Sequence, residues 1–384
     1  MGTYDLFRYD SWNLTVKVLQ IVADGTPGGG TTNVLALTED LIGKAIEVVF
    51  CSQQSSYALR EAQRLGAEVC DGLDFFRGRL DTRVVGKVRT AVDQIVPDIV
   101  HVHGGRAALA WVRGSDRSRL RRTIYTVRGY HFYRKRLPLR FLAKRAERRI
   151  SRSVFKTVHV CKNDQDVALD LSFVDAASSS RVIRNGIRLS DIPSFDNPID
   201  ENTIDRKQVA VLGRLAYQKN PNLVLDLARE LANEGFVFHM IGGGDLEESI
   251  RRRVEREMIE NVILHGNQSR VDGLKIMSRA GTFLLASRWE GLPIAPVEAM
   301  AMGLAVVISD VNGNTEVVRD GIEGRVAPSE DLDAFATALR SVIAEPEKTL
   351  QLIENGKQRV MAEFTRDRVV QEHLDLYQAC ISSQ

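Results

Sequence analysis

Glu290 and Glu298 stand eight positions apart in the run Ser287-Arg-Trp-Glu-Gly-Leu-Pro-Ile-Ala-Pro-Val-Glu-Ala-Met-Ala-Met-Gly303. Paired carboxylates can do three kinds of chemistry. They can serve as the acid and nucleophile of a glycosidase. One can answer the positive end of a helix dipole. Both can accept hydrogen bonds from sugar or ribose hydroxyls, at two oxygens each. Two prolines decide how the glutamates are held. Pro293 and Pro296 disfavour a continuous helix between them, because proline lacks a backbone donor and restricts the residue before it. Pro296 suits the first helical position, which predicts a helix ending near Gly303 with Glu298 in its first turn. Residues 282–286 and 305–308 read as buried strands on either side. Glu290 therefore belongs to a loop at a strand's carboxyl end, where doubly wound sheets bind ligands.

Cations suited to the same region lie upstream. Gly213-Arg-Leu-Ala-Tyr-Gln-Lys219-Asn-Pro leaves a strand and opens a helix, with Asn220 the expected N-cap and Pro221 at the first helical position. Arg214 and Lys219 in that loop, with the free N–H groups of the helix near Pro296, would hold a diphosphate without a metal. Solvated surface cations are the alternative, and the commoner fate of Lys and Arg. With those charges nearby, hydroxyl binding fits the two glutamates best, and a nucleotide sugar becomes the natural ligand.

Positioning these groups takes two series of alternating elements. The first has strands expected at 16–22, 46–50, 99–102, 122–127, 157–160 and 181–183, with helices at 31–41, 57–65, 82–95, 139–153 and 163–171. The second adds strands at 209–212, 237–241 and 262–264 and helices at 222–233, 246–258 and 271–279, and helical periodicity at 332–343 and 364–380 closes the chain. Such alternation predicts parallel β-α units covered on both faces: an α/β protein of two doubly wound domains with a ligand cleft between them. The turn-rich stretch at Arg184-Asn-Gly sets the boundary. The expected domains are 14–187 and 188–365, with a terminal helix over 366–384 packing back towards the first.

Three loops of the first domain carry polar residues. Ala23-Asp-Gly-Thr-Pro-Gly-Gly-Gly30 follows the first strand. Its glycines, Gly29 and Gly30 among them, are either a flexible turn or a backbone cradle for phosphate or sugar, and they fit neither G-x-G-x-x-G nor a P-loop. Later strand ends carry His101-Val-His103-Gly-Gly-Arg106 and Thr126-Val-Arg128-Gly-Tyr-His131.

A chain of 384 residues with 44% hydrophobic and 27% charged content has room for two full cores and reads as a soluble protein. No apolar run approaches the ~18 residues of a membrane span. Residues 1–13 lack the apolar core of a secretory leader. Cys51, Cys70, Cys161 and Cys380 have no metal-ligand spacing, and the expectation is a cytoplasmic protein with reduced thiols. The net charge of +2 conceals an asymmetry: residues 106–156 hold 17 Lys and Arg against Asp116 and Glu147, an excess of 17 − 2 = +15. Inside that segment the cations alternate with Leu137, Leu139, Phe141, Leu142 and Ile150. A core helix with a solvated face would show this pattern. No nucleic-acid motif accompanies it, which argues against a nucleic-acid partner. The preferred reading is docking of 134–156 on the anionic inner face of the cytoplasmic membrane, each surface Lys or Arg adding about 1 kcal/mol.

Taken together, these motifs resemble the retaining glycosyltransferases of family 4, which have the GT-B arrangement of two Rossmann-like domains with an interdomain cleft. Residues 287–303 are similar to the family's Glu-x7-Glu element with its Glu-Gly-Leu-Pro and Glu-Ala-Met-Ala-x-Gly runs. Gly213-Arg214…Lys219 is similar to its diphosphate-binding pair, Arg184-Asn185-Gly186 to its hinge, Gly242-Gly-Gly244 to its nucleotide-side turn, and Asn312-Gly313-Asn314-Thr-Glu316 to the loop after the next strand. The resemblance implies transfer of a hexose-type sugar, with retained configuration, from a UDP- or GDP-sugar to a hydroxyl of a glycan or lipid-linked acceptor. The setting would be cell-surface polysaccharide or glycoconjugate biosynthesis, with no cofactor and no metal.

The residue roles follow from the same resemblance. Arg214 and Lys219 would neutralise the leaving diphosphate, Glu290 would bind a donor-sugar hydroxyl, and Glu298 the ribose. Gly291, Leu292 and Pro293 would line the sugar pocket, with Gly29, Gly30, Gly213 and Gly243 also on the donor, and His103 and Arg106 on the acceptor. Arg128 stands where the family often has a histidine. Its permanent charge suits phosphate but not proton acceptance at neutral pH, and His131 matches a second histidine of some members. Two other functions stay open. A different GT-B enzyme, such as a nucleotide-sugar epimerase, would convert donor without any acceptor; a non-catalytic nucleotide-sugar-binding protein would never release nucleotide, and Arg128 keeps that reading in play.

Overall fold

The computed structural model describes residues 16–70, 86, 90, 93–130, 137–193 and 204–384. His131, residues 134–136 of the basic run and most of the helix expected at 82–95 lie outside them. The chain forms two units, one of Met1–Val160, Asp164–Ile183 and Val370–Gln384, the other of Cys161–Asn163 and Arg184–Val369.

Seven parallel strands build the first unit's sheet: β1 (Lys17–Val22), β2 (Glu47–Cys51), β3 (Glu68–Cys70), β4 (Ile99–His103), β5 (Thr123–Val127), β6 (Lys156–His159) and β7 (Ser180–Val182), in the order β3-β2-β1-β4-β5-β6-β7. The near-continuous apolar runs have a simple cause. Helices cover both faces of a parallel sheet, so Val18, Leu19, Ile21 and Val22 on β1 are all buried. The helices are α1 (Gly29–Gly43), α2 (Tyr57–Arg64), α3 (Gly105–Gly114), α4 (Arg117–Arg121), α5 (Leu137–Ser153) and α6 (Lys162–Asp170).

The second sheet holds β8 (Gln208–Leu212), β9 (Val237–Ile241), β10 (Val262–Gly266), β11 (Thr282–Leu285), β12 (Ala305–Ser309) and β13 (Arg325–Ala327), ordered β10-β9-β8-β11-β12-β13 and again parallel. Its helices are α7 (Pro221–Glu230), α8 (Glu247–Arg256), α9 (Arg270–Met277), α10 (Ala295–Met302), α11 (Asn314–Val317), α12 (Leu332–Ala344) and α13 (Pro346–Glu363), and α14 (Arg366–Ser382) begins in the second unit and continues into the first. Both sheets reverse their strand order once, between β1 and β4 and between β8 and β11. Ligands of doubly wound sheets bind outside the carboxyl ends of the strands at such a switch point.

Several elements were not expected from the sequence. β3 is three residues long, too short to leave a run. The apolar face of α3, with Ala107, Ala108, Trp111 and Val112 buried, begins in a glycine pair. α13 buries only Thr349, Leu352, Ile353, Gly356 and Val360 of its 18 residues, so its periodicity is diluted by polar side chains. The changes of unit fall at 183/184 and 369/370. Gly186 explains the first: a Cβ there would meet Thr365 O and Val369 Cγ2 at 2.7 Å, so the turn is pressed onto the second unit. Asn220 precedes α7 as expected, but its side chain does not cap the helix. It is in the left-handed region at φ 51°, which Asn tolerates better than most residues. Pro296 is the second residue of α10, one later than expected.

Candidate functional site

Within the second unit, the loops after β8 and β11 bring together a cation and a carboxylate beside the switch point. Lys219 leaves the short turn Tyr217–Lys219 that follows Gly213, and its Nζ lies 2.5 Å from Glu290 Oε1. Ser287 Oγ donates to the same oxygen at 2.6 Å, and Gln218 Nε2 lies 3.4 Å from Oε2 while donating to Trp289 O at 2.9 Å. The Glu290 side chain is 8% exposed, so Lys219 and Ser287 satisfy a carboxylate that would otherwise cost several kcal/mol to bury. Arg214 is exposed in the same loop and ion-pairs with no described residue, which leaves its guanidinium available to an anion.

Glycines let the adjoining loops come this close. The N–H of Gly213 donates to Ile241 O at 3.0 Å and that of Leu215 to Gly243 O at 2.9 Å, extending the β8–β9 pairing past the strand ends. Gly242 has φ 138°, and a Cβ on it would stand 2.1 Å from Gly213 O, so no other residue fits. Gly243 is tight for a different reason: a Cβ there would meet Glu247 Oε2 at 2.7 Å. On the far side of the site, Gly313 has φ 81° and a Cβ would lie 1.6 Å from Gly291 O. Asn314, next to it, is fully buried and donates from Nδ2 to Ser309 O at 3.0 Å, while Ser309 Oγ donates to Ser287 O at 2.6 Å. The loop from Ser287 to Pro293 is thus fastened from β12, and Asn185 Nδ2 holds Leu292 O at 3.0 Å.

Glu298 lies in the first turn of α10 and is 2% exposed. Arg270 at the start of α9 places Nη1 2.5 Å from its Oε1, but the approach leaves that oxygen without a hydrogen bond. Burial raises the carboxyl above its ordinary value and outweighs the opposing pull of Arg270; Asp191 adds to the rise. The result is a buried carboxylate paired with Arg270. Neither Arg270 nor Ser287 was expected from the sequence. Ser287 left a trace in its three-residue spacing from Glu290, whereas Arg270 left none.

The first unit holds a separate polar cluster at the ends of β4 and β5. His103 is 5% exposed. Its Nε2 faces Gln20 Oε1 at 2.5 Å, and its Nδ1 faces Arg128 Nη2 at 3.2 Å. His101 Nδ1 lies 2.7 Å from Tyr377 Oη and its Nε2 2.7 Å from Thr126 Oγ1. Burial holds both imidazoles well below their ordinary value, helped by His373 and Arg128 and, for His103, by His101. Burial also lowers Arg128 to about 10. Arg106 is exposed at the start of α3. Gly29 and Gly30 open α1, and a Cβ on either would meet nothing within 4 Å; packing does not require them to be glycine. Among the described residues, no group of three His, Cys, Asp or Glu is placed to hold a metal ion.

Comparison with known proteins bears on both units. The family described as Glycosyltransferase Family 4 matches residues 27–191, and the family described as Glycosyl transferases group 1 matches residues 195–359. The Escherichia coli UDP-Gal:alpha-D-GlcNAc-diphosphoundecaprenol alpha-1,3-galactosyltransferase is 25% identical over 297 residues, 73% of this chain and 75% of that one. The amylovoran biosynthesis glycosyltransferase AmsK of Erwinia amylovora is 27% identical over 168 residues, 41% of each chain. Among solved structures, Anabaena Alr3699/HepE in complex with UDP and glucose superposes with a TM-score of 0.78 at 16% identity, over 95% of this chain and 100% of that one.

Proposed function

This chain belongs to glycosyltransferase family 4, and we propose that it moves a hexose from a UDP-sugar to a hydroxyl of a lipid-linked sugar, with the anomeric configuration retained. The observation that carries the reading is the Lys219–Glu290 pair with the exposed Arg214 in the same loop as Lys219, and Glu298 buried in the first turn of α10. A diphosphate takes the two cations, a donor-sugar hydroxyl takes Glu290, and the ribose takes Glu298. The similarity to an enzyme named for a diphosphoundecaprenol acceptor supports the acceptor class, and the fold shared with a UDP-bound protein supports the nucleotide.

The transfer needs no protein nucleophile in this reading. The bond from the anomeric carbon to the diphosphate oxygen breaks first, its electron pair leaving with the diphosphate. The acceptor oxygen then attacks the oxocarbenium-like carbon from the same face, and its proton passes to the departing phosphate. Arg214 and Lys219 stabilise the negative charge as it develops, the larger part of such catalysis, while Glu290 and the backbone at 291–293 orient the sugar. No metal takes part. Arg128 serves as a fixed positive charge and not as a base.

Calorimetric titration with UDP-, GDP- and ADP-sugars, run on wild type and Glu298→Ala, tests the donor site. Binding of none of them by wild type overturns the assignment. Proton NMR of the product's anomeric signal tests retention, and consumption of donor without acceptor would point to an epimerase.

The same reading brings the protein to a membrane. None of the described helices is long and apolar enough to cross one. Helix α5, however, exposes Leu137 (81%), Phe141 (66%) and Leu142 (59%), and the same face continues with Arg145, Arg148, Arg149 and Arg152 one to three turns on. Apolar side chains followed by cations fit an anionic lipid surface, one group entering the headgroup boundary and the other meeting phosphates. In co-sedimentation, vesicles containing anionic lipid should retain the protein and neutral vesicles should not, and Phe141→Ser/Leu142→Ser should weaken retention. Equal binding to both vesicle types refutes the docking.

A further inference from the structure

We infer that Tyr217 and Trp289 form a stacking platform for a pyranose ring of the acceptor, an inference that rests on the glycosyl-transfer reading above. Tyr217 is 65% exposed, and its ring centroid lies 5.9 Å from that of Trp289 at an interplanar angle of 43°. Neither residue is remote from the chemistry. Tyr217 is two positions before Lys219, and Trp289 immediately precedes Glu290.

An exposed tyrosine on a surface turn ordinarily moves freely, and a ligand that stacks on it must first immobilise it. Tyr217 is already held. The Arg288 guanidinium covers one face of the ring, 4.1 Å from its centroid. Arg288 Nη1 donates to Tyr217 O at 2.7 Å, its Nε to Glu330 Oε1 at 2.8 Å, and its backbone N–H to Gln218 O at 2.8 Å. Gln218 then returns to Trp289 O. A rigid aromatic surface kept open to solvent is a poor contribution to stability and a good one to recognition, because ordering it again costs a ligand nothing.

Strand order says which part of the substrate meets it. The glycine turn Gly242–Gly244 and Arg270 follow β9 and β10 on one side of the switch point. Glu330, which anchors Arg288, follows β13 at the opposite edge of the sheet. The platform therefore lies on the side of the Lys219–Glu290 pair away from the nucleotide-side turn. A sugar there presents its C–H face to Tyr217, on the side that Arg288 leaves open, and its hydroxyls to water.

Saturation-transfer NMR on the full-length protein with saturating UDP and methyl glycosides of glucose, galactose, N-acetylglucosamine and N-acetylgalactosamine tests this. Wild type should transfer magnetisation to ring C–H protons of at least one glycoside. Tyr217→Phe should keep the signal, and Tyr217→Ala should lose about fivefold in glycoside affinity, the size of one aromatic contact, with UDP affinity by calorimetry unchanged. A glycoside affinity unchanged in Tyr217→Ala overturns the platform, as does a wild type silent to every glycoside. A loss of UDP affinity in Tyr217→Ala overturns it differently, by showing that the ring stacks on the nucleotide. If wild type binds no UDP at all, the donor assignment fails, and the glycoside signal judges the platform separately.

Discussion

Arg128 donates to His103 across 3.2 Å while the other imidazole nitrogen faces the Gln20 carbonyl oxygen, and those two contacts fix the protonation of the ring. A guanidinium only donates and an amide oxygen only accepts. His103 therefore carries its proton on Nε2, keeps Nδ1 as an acceptor, and is neutral. The chain continues: Gln20 Nε2 approaches Tyr377 Oη at 3.5 Å, and Tyr377 meets His101. A protonated His103 would set a positive ring against Arg128.

Stability should therefore fall on acidification. Burial holds His101 and His103 below the ordinary imidazole value, so as pH drops through ~6.5 the unfolded chain binds protons that the folded one does not. More protons on the unfolded state means stability rises with pH, by about 1.4 kcal/mol per pH unit for each histidine over that window. Urea denaturation at pH 7, 6 and 5 should show the midpoint falling steadily. A midpoint that stays level from pH 7 to 5 would contradict the neutral assignment.

Lys219→Ala should lower kcat by about 100-fold or more, as expected for removing a charge that acts on the leaving group, and it also strands the buried Glu290 carboxylate. Lys219→Arg separates the two effects. It keeps the charge but not the compact ammonium that fits Glu290 at 2.5 Å, so it should restore stability more fully than turnover. Steady-state kinetics alongside thermal melting would show it; recovery of both together would argue for a purely structural lysine.

Glu298 should set an acidic limit on donor binding. Its carboxyl is raised by burial, and only the ionised form accepts two hydroxyl hydrogens. Affinity for UDP should drop as pH falls through a value above the usual glutamate figure of about 4.3. In Glu298→Gln that limb should vanish, with affinity lower throughout. Calorimetry from pH 4.5 to 8 measures both, and an unchanged limb in the variant assigns it to another group.

Gly313→Ala should cost at least about 2 kcal/mol, since a residue with φ near +80° is strained and the new methyl meets a backbone oxygen that cannot swing aside. Gly291 O is the atom it strikes, so the displaced segment is the one proposed to line the sugar. Donor KM should rise even in the fraction that folds. Gly321→Ala serves as control: it shares positive φ, 68°, but has open space around it.

Long apolar runs made most of the fold legible, because a strand covered on both faces has no polar side to hide it. Val237–Ile241 is an example, its expected and observed bounds the same. Proline and glycine bracketed α10 for a similar reason, since each changes the backbone's options locally. What escaped was whatever depends on a partner far along the chain. Arg270 pairs with Glu298 across 28 positions, and Tyr377 reaches His101 across 276; nothing in their own neighbourhoods marks them. Asn220 misled in another way. A capping residue in a capping position turned its backbone left-handed instead, and its side chain caps nothing.

Helix α14 starts in the second unit and ends in the first, where Tyr377 is fully buried against the sheet. Ribosomes release a protein from its first residue to its last. The amino-terminal half, made first, must therefore wait through the synthesis of nearly two hundred residues of the other half before the side chain that closes His101 emerges. During that interval its polar cluster stands incomplete, and the nascent chain is most open to chaperones and to proteases before α14 arrives. A stop codon just before Tyr377 would disable not the later-made unit but the first.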